Sequence, residues 1–203
     1  MIPALNIFPA LVKRDKIMSK PLSEMTLEEL WQLFPIFLTE YQTYWTEWYQ
    51  EEYTLLSAIL SKNYIVRINH IGSTAIKGIW AKPIIDILVE IIEQTNMQLI
   101  CDILTENGYL CMSQSENRMS FNKGYTERGF SEKVFHLHLR YIGDNDELYF
   151  RDYLNEHADI AKEYENLKIS LWKLYEHNRD RYTNAKGNFI ANVMKMAKEK
   201  YSY

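Results

Sequence analysis

Apolar positions follow helical spacing at both ends of the chain and strand spacing in the middle. Thr26 and Glu29 form a T-x-x-E capping pattern ahead of Leu30, Trp31, Leu33 and Phe34, which predicts a helix that stops near Pro35. Across 44–61, Trp45, Trp48, Leu55, Leu56 and Ile59 fall near helical spacing. That aromatic stripe reads as core, with a stacked ligand as the lesser alternative. The β-branched run 65–71 predicts a strand ended by Gly72-Ser73-Thr74. The run 84–92 is almost continuously apolar, broken by Asp86 and Glu90, as for a central strand covered on both faces. A helix over 95–107 stops at Gly108. Segments 109–113, 118–123 and 134–141 predict further strands, and 145–157, 160–175 and 183–200 predict helices. No internal repeat or low-complexity linker appears. The layout predicts an α+β (α/β) fold with one small mixed sheet flanked by helices.

Composition narrows the function classes. A 203-residue chain with 47% hydrophobic residues can pack a core of its own, and 21–203 is expected to form a single domain. The formal charge of −4 argues against a strongly basic nucleic-acid binder, though not against a local basic patch. No apolar run reaches the roughly 18–20 residues that span a bilayer. Two cysteines, Cys101 and Cys111, read as small buried hydrophobes in a reducing compartment. Residues 1–20 read as an arm or upstream extension, because Pro interrupts the apolar stretch and the basic residues follow it, the wrong order for a signal peptide. With no export or anchoring pattern, the expected location is the cytoplasm.

Chemistry concentrates in His70-Ile-Gly-Ser-Thr and the following Lys82-Pro-Ile-Ile-Asp86-Ile-Leu-Val-Glu90. A strand running into Gly72-Ser73 and then a helical turn presents free backbone N–H groups, and glycine lets phosphate oxygens come close. Ser73 and Thr74 add hydroxyls. Asp86 falls 13 positions after Ser73, inside an apolar strand, where a lone carboxylate costs several kcal/mol unless paired or metal-bound. A carboxylate beside a phosphate-cradling turn suits Mg²⁺-dependent phosphoryl chemistry. Lys82 as its ion-pair partner is the plainer alternative.

The block HIGSTAIKGIWAKPIIDILVEI resembles the signature of the GrpB family, a branch of the nucleotidyltransferase superfamily. The likeness continues through Phe121–Tyr141, Tyr149–Lys168 and Tyr182–Ile190, and so covers about 20–200. It implies a nucleotidyltransferase-like fold but no known substrate; an enzyme reading adds a nucleoside triphosphate as substrate or ligand and a divalent metal, Mg²⁺ or Mn²⁺. It does not imply an acceptor. The superfamily pattern places a second carboxylate two residues after the first, but Leu88 stands there. Glu90 lies roughly 13 Å along the strand from Asp86, too far to share a two-metal centre about 3.5–4 Å across. It reads as a strand-end or supporting residue.

His136 and His138 are the expected substitutes. Residues i and i+2 face one side of a strand, so on a strand beside that of Asp86 one imidazole reaches the same metal or phosphate. Such a mixed site would also suit a transition metal. His70 is placed to orient Asp86 or Ser73. Lys123, Arg140, Arg151 and Lys186 join Lys82 as candidates for phosphate oxygens. Tyr182 and Phe189 read as packing, with base stacking the alternative. Three readings follow: a nucleotidyltransferase using Asp86, His136 and His138; a nucleotide- or phosphate-binding module without turnover, which Leu88 favours; and an accessory domain docking through its aromatic helices. Partners are expected to be a nucleotide or another phosphorylated small molecule.

Overall fold

A computed structural model of the chain describes residues 20–201; the expected arm at 1–20 lies outside these, save Lys20. Its centre is a five-stranded mixed sheet in the order β1-β2-β5-β4-β3. The strands are β1 (Ile65–Ile71), β2 (Ile85–Ile91), β3 (Leu110–Gln114), β4 (Arg118–Thr126) and β5 (Gly129–Tyr141). β1 runs antiparallel to β2 and β2 parallel to β5, while β5, β4 and β3 form an antiparallel meander.

Before the sheet come α1 (Leu27–Leu33), whose capping box is formed by Thr26 and Glu29, and α2 (Tyr44–Ile59). α3 (Met97–Glu106) links β2 to β3. After β5 follow α4 (Asp146–Glu156), α5 (Ala158–Tyr175), α6 (Arg179–Asn184) and α7 (Gly187–Lys200).

Strand alternation divides the sheet into two faces. Ile85, Ile87, Val89 and Ile91 of β2, with Phe135, Leu137 and Leu139 of β5, pack against Trp45, Leu56, Ile100 and Leu104 of α2 and α3. Trp45 is fully buried, so the α2 stripe is core as expected. The opposite face carries Asp86, Leu88 and Glu90 beside His136, His138 and Arg140. There α4 seats Leu148 on Ile71 and Leu88. Residues Ile76 and Ile79, beyond the Gly72 turn, join Leu154, Tyr164 and Val193 in a second cluster, which fastens the turn to α4, α5 and α7.

Three expectations need correction. The helix predicted over 183–200 is two helices, because Asn178 caps a short α6 by accepting from Arg181 N and the chain turns at Ala185–Lys186 before α7. The strands predicted over 118–123 and 134–141 extend into one long hairpin, closed at Glu127-Arg128, with Gly124 at φ +91°. Cys111 lies exposed on the edge strand β3, whereas Cys101 is buried.

Candidate functional site

The register places Asp86 between Ile71 of β1 and His136 of β5, with Gly72 the next residue after Ile71. Gly72 adopts φ +69°, and a Cβ there would stand 2.2 Å from Asp86 Oδ2. Only glycine allows the turn to lie flat against the carboxylate. Thr74 does not face the ligand space. It is buried, donates to Ile84 O at 3.1 Å and meets His70 Nε2 at 3.0 Å. The His70 ring stacks on Tyr49, and burial lowers its pKa to about 4, so a neutral imidazole ties β1 to the turn through Thr74.

Asp86 Oδ1 lies 3.3 Å from His136 Nδ1 and 3.7 Å from His138 Nε2. Burial by itself would raise the Asp86 carboxyl; the hydrogen bonds of the two imidazoles outweigh it and hold the acid well below the usual carboxylate range. Burial lowers His136 in spite of Asp86. Tyr125 Oη lies 2.8 Å from His136 Nε2. The consistent assignment is a neutral His136 that donates from Nδ1 to an ionised Asp86 and accepts from Tyr125 at Nε2.

In front of Asp86 opens a cavity of about 440 Å³, bounded on the sheet side by Gly72, Ser73 and His136. Lys82, Lys168, Arg179 and Lys186 supply its other walls. Burial comes first in lowering Lys82 to about 7, Lys168 to about 7 and Lys186 to about 8, and the neighbouring cations lower them further. The Tyr182 ring lies 5.6 Å from Lys82 Nζ and 4.4 Å from Lys186 Nζ. Tyr164 bonds Ser73 and stacks on Phe189, holding the turn from the helical side. Four cationic side chains face a single buried-strand carboxylate, with Asp146 and Glu147 also lining the cavity. An anion bearing several charges is the ligand such a wall stabilises.

Of the residues singled out in the sequence, Gly72, Ser73, Lys82, Asp86, His136 and Lys186 line this cavity, and His138 stands behind Asp86. The others are elsewhere. Lys123 points to the opposite sheet face, where it pairs with Glu52 at 2.7 Å and lies over Tyr109. Arg140 is buried and donates to the carbonyls of Met119 and Leu139. Arg151 pairs with Asp152 and donates to His70 O at 2.9 Å. Glu90 is fully buried, pairs with Arg67 at 2.7 Å and accepts from Gly143 N and Asn145.

Sequence reading missed Lys168 and Arg179. Lys168 carried a signal: it falls in the stripe Ala161, Tyr164, Lys168, Leu171 of α5, where a lysine interrupts an otherwise apolar face and donates to Trp80 O. Arg179 begins α6 after a short turn and carried none.

A metal cage built from protein ligands alone does not fit. Among the described residues no group of three or more His, Cys, Asp or Glu is arranged to hold a metal ion. Leu88 fills the place of a second carboxylate and is sealed by Ile71 and Leu148. A cation that arrives with phosphate oxygens fits better, since Mg²⁺ typically takes one or two carboxylates and completes its shell with substrate and water. Asp86 is the carboxylate that stands against the Gly72 turn.

Comparison with known proteins agrees with this architecture. The chain is 36% identical over 169 residues to the "Glutamate-rich protein GrpB" of Alkalihalophilus pseudofirmus, covering 78% of this chain and 94% of that protein. It is 32% identical over 161 residues to the "UPF0157 protein YqkA" of Bacillus subtilis, covering 78% of this chain but 46% of that longer relative. The crystal structure of the conserved protein GrpB from Enterococcus faecalis superposes with a TM-score of 0.71 at 33% identity, covering 81% of this chain and 99% of that one. The pattern of the family described as "GrpB protein" matches residues 35–196, and the chain therefore belongs to the GrpB family.

Proposed function

We propose that this protein binds a nucleoside triphosphate in the cavity and transfers its nucleotidyl group to an acceptor. The observation that carries this reading is the placement of Asp86 against the Gly72-Ser73 turn, across a hollow walled by Lys82, Lys168, Arg179 and Lys186. In this reading the turn and the Ser73 hydroxyl hold the β- and γ-phosphates, while the four cations spread the charge that builds on the leaving pyrophosphate. His136, held by Tyr125, fixes the orientation of Asp86. Asp86 and the phosphate oxygens would hold one divalent cation, which when bound neutralises charge at the α-phosphate.

The second reading, binding without turnover, is favoured by Leu88. One carboxylate in place of two weakens metal-assisted transfer and leaves the cationic wall intact.

Incubation with each α-labelled triphosphate and Mg²⁺ or Mn²⁺ separates the two. Transfer predicts metal-dependent pyrophosphate release, abolished in Asp86→Asn. Calorimetric binding of triphosphate without release, unchanged or tightened in Asp86→Asn, would support the binding module. Absence of binding by every nucleotide overturns both.

A further inference from the structure

A second hollow, about 1150 Å³, runs between α1 and the β3–β4 edge and meets the cationic cavity at Lys82, Ile84 and Arg179. Its walls are largely apolar, with Leu22, Leu30, Trp31, Phe34 and Phe130 among them. Leu27, Leu110 and Met112 on its borders stay 58%, 48% and 57% exposed. Arg179 faces both hollows, and its guanidinium has no hydrogen-bond or ion-pair partner among the described residues. An apolar trough leading to an unpartnered cation matches a ligand with a charged head and an apolar body.

The chemistry of the walls restricts the head group. A nucleophile must reach the α-phosphate in reactive form. Both nitrogens of His136 are engaged, by Asp86 and Tyr125, and those of His138 lie against Asp86 and Arg140. His70 is committed to Thr74. Lys82 and Arg179, where the two hollows meet, favour a nucleophile that enters already anionic.

We propose that the acceptor is an amphipathic oxyanion, a phosphate monoester or a carboxylate, whose head sits between Arg179 and Lys82 and whose apolar body lies along Leu30, Trp31 and Phe34. The assignment rests on the nucleotidyl-transfer reading. An oxygen lone pair of the acceptor forms the new bond to the α-phosphorus, and the bond from that phosphorus to the α,β-bridging oxygen breaks. Its electron pair leaves with pyrophosphate. No proton moves and nothing is oxidised or reduced.

The test uses the full chain with inorganic phosphate, octyl phosphate, octanoate and octanol as calorimetric probes. Octyl phosphate should bind at least about tenfold tighter than inorganic phosphate, since burying even a few methylenes is worth that much. Trp31→Ser should remove the gain yet leave inorganic phosphate binding unchanged, which also reports an intact fold; Leu30→Ser serves if Trp31→Ser fails to fold. Arg179→Ala should weaken octyl phosphate or octanoate and spare octanol, and the stronger of the two acids identifies the head group.

Equal affinity for inorganic and octyl phosphate would overturn the proposal. So would octanol binding as tightly as the acids, unaffected by Arg179→Ala. Asp86-dependent transfer of label to octanol would refute the oxyanion head and keep nucleotidyl transfer. Tight octyl phosphate binding without any label transfer would refute nucleotidyl transfer and the acceptor role together, leaving only an oxyanion-binding groove.

Discussion

Leu88 shows how one position limits the chemistry of a site. Its side chain is fully buried between Ile71 and Leu148, under α4, and has no path to the cavity. A carboxylate placed there would lose its hydration and gain no cation. Leu88→Asp should therefore destabilise the protein by about 3 kcal/mol or more without creating metal-dependent activity. Urea unfolding and the label-transfer assay check the two halves of that expectation. Gly72 is the complementary case, a residue whose missing side chain makes room for Asp86 Oδ2.

Among the elements, the β4–β5 hairpin depends on one irregularity. The register shifts between Lys123 and Tyr125, at Gly124. Lys123 faces the α2 side with Phe135, and strict alternation would send Tyr125 there too. Two steps along β4, from Lys123 to Tyr125, match five along β5, from Phe135 to Phe130, and this irregularity turns Tyr125 to the other face, where its hydroxyl meets His136. A Cβ on Gly124 would stand 2.3 Å from Lys133 O, a backbone atom that cannot swing away. Gly124→Ala should cost about 1–3 kcal/mol. Thermal unfolding measures the loss, and an imidazole NMR titration should show His136 altered as Tyr125 withdraws.

At the scale of the whole molecule, the cavity combines a sheet turn with the four C-terminal helices and concentrates positive charge. The folded pKa values of Lys82, Lys168 and Lys186, about 7, 7 and 8, lie below the usual lysine value of about 10.4. Between pH 7 and that value the unfolded chain keeps protons that the folded chain has shed, so stability from these groups rises with pH. Below pH 7 the full cost of burying the charged amines is present. Lys82→Met should accordingly raise the melting temperature more at pH 6.5 than at pH 9.5. Calorimetry in buffers of different ionisation enthalpy should also show proton uptake when phosphate binds at pH 8.

Period and turn chemistry, encoded over a few residues, made most elements legible in the sequence: the capping box at Thr26, the Gly72 turn, the apolar β2 run and the C-terminal helices. The Asp86–His136 pairing was legible only as a condition, because parity fixes which residues share a strand face but not which strands become neighbours. Lys123, Arg140 and Arg151 looked equivalent to Lys82 and Lys186 along the chain. Tertiary structure separated them, since the bulge at Gly124, the pairing with Glu52 and the docking of α4 decide where each cation points. Sequence by itself determined the family, the mixed α+β architecture and the turn-plus-carboxylate pattern, all set by local spacing. Only the tertiary structure decided which cations surround Asp86 and that an apolar trough adjoins them, because those contacts join segments far apart in the chain whose meeting no local pattern encodes.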